Sequence, residues 1–308
     1  MFYGLGWLSI TVVAYFFQSL AAILDKFLLT RRIQRPSTYV FWVGVLGLGA
    51  LVLTPFGFFV PANSVIVNAF VSGAAFTFAL FFFYIAVQAG EASRVVPVIG
   101  AFTPVFVFVF SRNILGETLF KGELIAFLVL VIGSVLMAIT HKKDGRGMNN
   151  RDFKIFGAAI LAAFLFGVTY VFEKAVFNET PFISGFIWTR LGGFLGALPF
   201  LFFSQTRSSI FETPRMADRV TFGIFFINKL AGAAGFFLLS FAISIAPSVS
   251  LVNALQGIQY AIIFAMALLL SRKRPDILSE EITPRIIFEK TLAIIFIASG
   301  IALLSFSQ

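Results

Sequence analysis

The sequence predicts an all-α membrane protein, with ten transmembrane helices folded as two inverted five-helix repeats. Three observations predict it. The 308 residues are 59% hydrophobic and only 12% charged, with a mean hydropathy of +0.97, whereas soluble domains run near 25% charged. The apolar residues fall in long continuous runs. Those runs divide into two sets of five that share landmarks.

A spanning helix needs roughly 20 apolar residues, because the hydrocarbon core is about 30 Å thick and each residue rises about 1.5 Å. Ten runs meet that length, at approximately residues 4–24, 38–60, 65–88, 93–115, 122–140, 153–172, 182–204, 220–245, 248–271 and 286–306. Strands of a β-barrel would instead alternate with period two over about ten residues. The first run lacks a basic leader and a small-residue cleavage site, so it reads as a retained helix and not a signal peptide. The 43 phenylalanines suit lipid-facing helices and give bulk to a core.

The longest polar break, "HKKDGRGMNNRDFK", follows the fifth run. It sets a first repeat at residues 1–140, a cytoplasmic linker at 141–152 and a second repeat at 153–308. Asp25-Lys26 aligns with Glu173-Lys174, and Phe41-Trp42 with Ile187-Trp188. An odd number of spans per half makes the second half enter with opposite orientation. That is an inverted repeat, an architecture with two nearly equivalent conformations, one open to each side.

Basic residues concentrate on one face, around Arg31 to Arg35, Lys142 to Lys154, Arg207 to Arg219 and Arg272 to Lys290; the other face has Arg112, Lys121 and Lys174. Positive residues favour the cytoplasm, so the ends of the chain are expected outside. The net charge of +9 is therefore a topology signal and not a nucleic-acid patch.

Several chemistries are excluded. There is no cysteine, and the one histidine, His141, lies in the polar break. Disulfides, thiolate sites, histidine-based zinc sites and His-dependent triads are thereby ruled out. No HExxH, paired intramembrane aspartates or nucleotide loop occurs. The chain is not expected to be an enzyme or an ATP-driven pump, and no cofactor or metal is expected.

The stretch "GEASRVVPVIGAFTPVFVFVFSRNILGETL", residues 90–119, carries Pro97, Pro104 and the triplet Leu115-Gly116-Glu117. "LVNALQGIQYAIIF", residues 251–264, stands at the matching place in the second half. With these stretches and its two five-span halves, the chain resembles the drug/metabolite transporter superfamily, in its EamA-type group of ten-span carriers. The resemblance implies an alternating-access carrier with a central cavity lined by the first four helices of each half. It implies no substrate. Members are usually drawn with both ends in the cytoplasm, the reverse of the charge count here. The second half has "RKRPDILSEE" where a second triplet would stand, with Glu280 or Glu281 as the counterpart of Glu117.

Two cations interrupt apolar runs, Arg190 in "IWTRLGG" and Lys229 in "FINKLAG". A charge at the bilayer centre costs roughly 2.5–3.5 kcal/mol on insertion scales. Each lies about nine residues from its end of the run, entering from opposite faces, so the two are expected to meet in one mid-membrane pocket. Asn253, Gln256 and Gln259 are spaced three apart and share a helical face. In the repeat, Arg190 matches Gly44, Lys229 matches Gly73, Gln256 matches Gly100 and Gln259 matches Thr103. One half is thus expected to supply polar groups and the other space. The other reading has Arg190 and Lys229 bonded to Glu173, Asp25 or helix-end carbonyls, tying the bundle together. Trp42 and Trp188 are candidate cavity walls or packing anchors, and Pro97 and Pro104 a hinge or tolerated kinks.

Asp25 and Glu173 are candidate gating residues, one for each face. Each acid should turn inward while Lys26 and Lys174 snorkel to the headgroups. Glu91 and Glu117 read as loop charges at span ends. The expected function is secondary-active, alternating-access transport of a small organic metabolite, anionic or carboxylate-bearing, such as an amino acid. It would run on the solute's own gradient, on protons or by exchange, in a bacterial plasma (inner) membrane, as a monomer or homodimer. The alternative is a lipid-intermediate flippase or a membrane scaffold.

Overall fold

A computed structural model of the chain describes residues 6–31, 35–89, 92–138, 150–216, 219–273 and 284–307. In chain order the helices are α1 (Gly6–Arg31), α2 (Pro36–Gly47), α3 (Asn63–Ala89), α4 (Ala92–Phe110), α5 (Lys121–Ala138), α6 (Asn150–Glu179), α7 (Phe182–Ala197), α8 (Ser204–Met216), α9 (Arg219–Ile245), α10 (Val249–Ala254), α11 (Gly257–Lys273) and α12 (Pro284–Ser307). Among the described residues, nine segments are long and apolar enough to cross a membrane. The protein is an integral, multi-pass, all-α membrane protein. Helices follow from the solvent: in lipid a backbone must satisfy its own polar groups. Hydroxyls inside spans do the same by bonding back one turn, as Thr11 does to the Trp7 carbonyl at 2.7 Å and Ser134 to that of Leu130 at 3.0 Å.

α1 lies along α9, α3 along α6, and α5 along α12; α2 packs on α7, α4 on α6, and α1 on α11. Small residues set the closest of these contacts. A Cβ at Gly73 of α3 would collide with the Thr189 carbonyl and the backbone at Gly192-Gly193 of α7. Thr77 then donates across this interface to the Gly193 carbonyl at 2.7 Å. Gly100 of α4 is filled by the ring and hydroxyl of Tyr260. The expectation that first-half glycines leave cavity space is therefore corrected. At Gly44, Gly73 and Gly100 the missing side chain admits a neighbouring helix or ring.

Three further differences from the sequence reading arise. The ninth run is not one helix: α10 and α11 are separated at Leu255-Gln256. The Gln256 amide bonds the Asn253 carbonyl at 3.0 Å, a tightened turn that releases the Val252 carbonyl to the Tyr15 hydroxyl at 3.1 Å. The second and seventh runs each begin as an α-helix and finish as a 3₁₀ segment, Leu48–Phe56 and Leu198–Phe202. Between the seventh and eighth runs stands α8, a polar helix where a loop was expected. It is tied to the start of α2 by Ser37–Thr206 at 3.0 Å and by Arg35 to the Gln205 carbonyl at 2.7 Å. Most of the expected linker, and the candidates Glu91, Glu280 and Glu281, lie outside the described residues.

Candidate functional site

Asp25 and Glu173 each stand six residues before the end of a long helix, α1 and α6. Both turn inward, with relative exposures of 7% and 0%. A buried carboxylate requires donors, and the two sites meet that need very differently.

Four side chains converge on Asp25. Lys229 Nζ donates to Oδ1 at 3.0 Å, Asn228 Nδ2 at 2.5 Å, the Tyr39 hydroxyl binds the same oxygen, and the Tyr84 hydroxyl reaches Oδ2 at 3.3 Å. The Lys229 ammonium also lies 4.1 Å from the centre of the Tyr39 ring, a favourable cation–π position. The cluster joins the end of α1, the start of α2, the end of α3 and the first half of α9. It ties these four helices to one another.

At Glu173, Oε1 accepts from the Ser240 hydroxyl at 2.9 Å and stands 3.9 Å from Arg190 Nη2, beyond hydrogen-bond distance. None of the described residues gives a hydrogen bond to Glu173 Oε2, or accepts one from Arg190 Nε or Nη2. An unpaired buried polar group costs about 1–3 kcal/mol. The guanidinium is walled by three rings, with its carbon 4.0 Å from the centre of Phe236, 4.9 Å from Phe76 and 5.3 Å from Phe186. Phe76 is the midpoint of α3, Phe186 lies one turn into α7 and Phe236 lies past the middle of α9, so the Arg190 head lies inside the bundle, between its middle and the end at which α7 starts.

The two cations do not meet in one pocket. Lys229 and Ser240, which mark the two carboxylates, are eleven residues apart on α9, about 16 Å along its axis. Helical side chains lean toward the N-terminus of their own helix. Arg190 leans over Phe186 and Lys229 over Phe225, each one turn back. Because α7 and α9 start from opposite ends of the bundle, the charged heads are carried apart.

Lys174 departs from the expected snorkelling. It is buried and donates to the Ile243 and Ala246 carbonyls at 3.0 and 2.8 Å, placing a cation on the C-terminus of α9 where the helix dipole favours one. The Lys26 side chain lies outside the described part of the structure. Lys174→Met is expected to lower stability by about 1.5–3 kcal/mol, the worth of charged hydrogen bonds. An unchanged melting temperature in detergent would contradict this role.

Glu117 is also more than a loop charge. A π-helical turn, Ser111–Leu115, ends at Gly116 with φ +69°, a conformation that favours glycine. The turn presents the Glu117 carboxylate to the start of α10, where the Ser248 hydroxyl donates at 2.7 Å and the Val249 amide at 3.4 Å. A carboxylate at a helix N-terminus is stabilising there.

The remaining candidates surround the interrupted helix. Asn253 Nδ2 donates to the Val249 carbonyl at 3.0 Å, while Asn253 Oδ1, Gln256 Oε1, Gln259 Oε1 and the Tyr260 hydroxyl have no partner among the described residues. Ser19 of α1 binds the Gln259 carbonyl at 3.1 Å. Tyr15, Tyr170 and Tyr260 lie within electrostatic reach of one another, and Tyr170 within reach of Glu173 and Arg190. Pro104 and Pro97 lie within α4, which runs on through both; the Pro97 side chain is outside the described part. Trp188 donates to the Phe59 carbonyl at 3.1 Å and stacks on Phe58, holding the segment after the 3₁₀ turn. Trp42 makes an edge contact with Phe41.

Sequence reasoning missed Tyr39, Tyr84, Asn228, Ser240 and the three phenylalanines around Arg190. Asn228, beside a lysine in an apolar run, was a readable signal. The phenylalanines, among 43, were not.

No family model and no curated protein matches this chain. A solved structure described only as the crystal structure of a protein is similar in fold over 97% of this chain and 96% of its own, with a TM-score of 0.63 and 17% identity.

Proposed function

We propose that this protein is a secondary-active, alternating-access transporter of a small, carboxylate-bearing organic metabolite. We further propose that it is an EamA-type carrier of ten helices in two inverted five-helix repeats, in a bacterial plasma membrane. The repeat is supported by helix pairings that survive exchange of the halves, although the close contact of α3 with α7 has no equally close counterpart between α9 and α2 among the described residues. α1 on α9 corresponds to α6 on α3, and α1 on α11 to α6 on α4, while α2 on α7 and α5 on α12 map onto themselves. The 3₁₀ endings recur at equivalent places. A discontinuous helix at mid-membrane is a common way to build a transporter site, which suits Asn253, Gln256 and Gln259.

Arg190 carries the reading. It is a permanent cation inside the bundle, with two donor atoms that have no partner among the described residues, and a carboxylate is their natural acceptor. Asp25 and Lys229 act in this scheme as the closed gate of one face, with Tyr39, Tyr84 and Asn228 holding it shut. Pro104 removes the amide that would bind the Gly100 carbonyl, giving α4 a hinge beside Tyr260. The lateral groove between α4 and α6 is lined by Phe106, Phe153, Phe156, Gly157, Ile160, Leu161 and Phe164. A lipid-headgroup route would need polar groups there, so the flippase reading gains no support.

The test is uptake into proteoliposomes across a panel of amino acids, organic acids, sugars and nucleosides, with and without a pH gradient. Saturable uptake of a carboxylate-bearing solute, lost in Arg190→Gln, is expected. Uptake confined to sugars or nucleosides, or absent for every solute, would overturn the proposal.

A further inference from the structure

We infer that the Glu173–Arg190 pair is a binding site for a small zwitterion, which places its carboxylate on Arg190 and its ammonium on Glu173. The inference rests on the transport reading and narrows its solute. The two repeat-related acids supply the argument. Asp25 is fully engaged, by Lys229, Asn228, Tyr39 and Tyr84. Glu173 is engaged on one oxygen by Ser240, and its Oε2 has no partner among the described residues. Its cation is held 3.9 Å away, with Nε and Nη2 likewise without a partner among the described residues. The first pair is a finished lock. The second has unpaired atoms of both kinds, acceptor and donor, side by side.

Charge selects the ligand. A solute with a carboxylate alone would serve Arg190 but set a second anion against Glu173 in a low-dielectric site. An amine alone would serve Glu173 and oppose Arg190. A zwitterion meets both needs and leaves the net charge of the buried site unchanged, so the desolvation of each of its charged groups is offset by pairing with an opposite charge. The walls, Phe76, Phe186 and Phe236, suit an apolar body between or beside the two charges.

The experiment uses the full chain in proteoliposomes. The twenty standard L-amino acids are assayed singly, together with the deaminated acids and decarboxylated amines of leucine and phenylalanine. At least one apolar amino acid should be taken up, with both half-molecules weaker by about 100-fold or more, since a site built to pair a group rejects analogues that lack it. In Glu173→Gln, which keeps an acceptor for Ser240, the preference for the amino acid over its deaminated acid should collapse toward unity. Equal uptake of an amino acid and its deaminated acid by the natural chain, or an unchanged preference in Glu173→Gln, overturns the zwitterion site and leaves transport standing. Uptake confined to other carboxylate-bearing solutes of the wider panel also overturns it alone, whereas uptake confined to sugars or nucleosides overturns the carboxylate reading with it. No uptake of any solute overturns the transport reading as well. If Glu173→Gln does not fold, the discrimination by the natural chain decides the matter.

Discussion

Asp25→Ala is expected to destabilise the folded protein by about 3–5 kcal/mol, the range for removing one partner of a buried ion pair. The substitution strands Lys229 and leaves the donors of Tyr39, Tyr84 and Asn228 without their common acceptor. Most of the loss is the penalty of an unpaired buried charge and not the worth of the pair itself. The double substitution Asp25→Ala/Lys229→Met should therefore recover much of the stability lost. Thermal unfolding in detergent, with monodispersity on gel filtration, reads both. An Asp25→Ala protein that melts like the parent, or a double variant no better than the single, would show that this cluster does not hold α1, α2, α3 and α9 together.

Gly73→Val is expected to cost about 3 kcal/mol, at the upper end for overpacking. The new side chain would enter the backbone of α7 at Thr189 and Gly192-Gly193. It would also pull the Thr77 hydroxyl from the Gly193 carbonyl. Backbone cannot be trimmed, so no truncation in α7 should rescue it. Gly100→Ala makes the contrasting case, because its Cβ meets the tip of the Tyr260 side chain. Tyr260→Leu should restore much of the stability that Gly100→Ala removes. Rescue of Gly73→Val by a shortened α7 side chain, or failure of the Gly100 rescue, would contradict the packing described here.

Much of this arrangement was legible in the sequence, for reasons that the particular residues make plain. Hydropathy fixes where lipid-spanning helices fall, because a bilayer tolerates few charges over about 20 residues. The alignment of Asp25-Lys26 with Glu173-Lys174 in the sequence anticipates that both acids stand at the same distance from the ends of α1 and α6. The structural tie of Lys229 to Asp25 was open from the outset, since a buried cation needs an anion and few were available. What sequence could not supply was direction and continuity. Counting residues from a span end places an α-carbon, but Arg190 and Lys229 carry their charges several ångströms along the helix, in opposite senses. The break at Leu255-Gln256 leaves mean hydropathy unchanged, and depends on Tyr15, far away in the chain, accepting the role of partner to the Val252 carbonyl. Lys174 reads as a headgroup lysine until the C-terminus of α9 is seen folded over it.

Counterflow in proteoliposomes tests alternating access most directly. Vesicles holding the purified protein are loaded with unlabelled solute, the one found to be taken up best, and diluted into a trace of the same solute carrying a label. An alternating carrier returns its site loaded from inside, so the label should accumulate above its external concentration and then decay, and Arg190→Gln should abolish the overshoot. Entry of label that only approaches equilibrium, at a rate indifferent to the solute inside, would describe a channel or a leak and contradict the account.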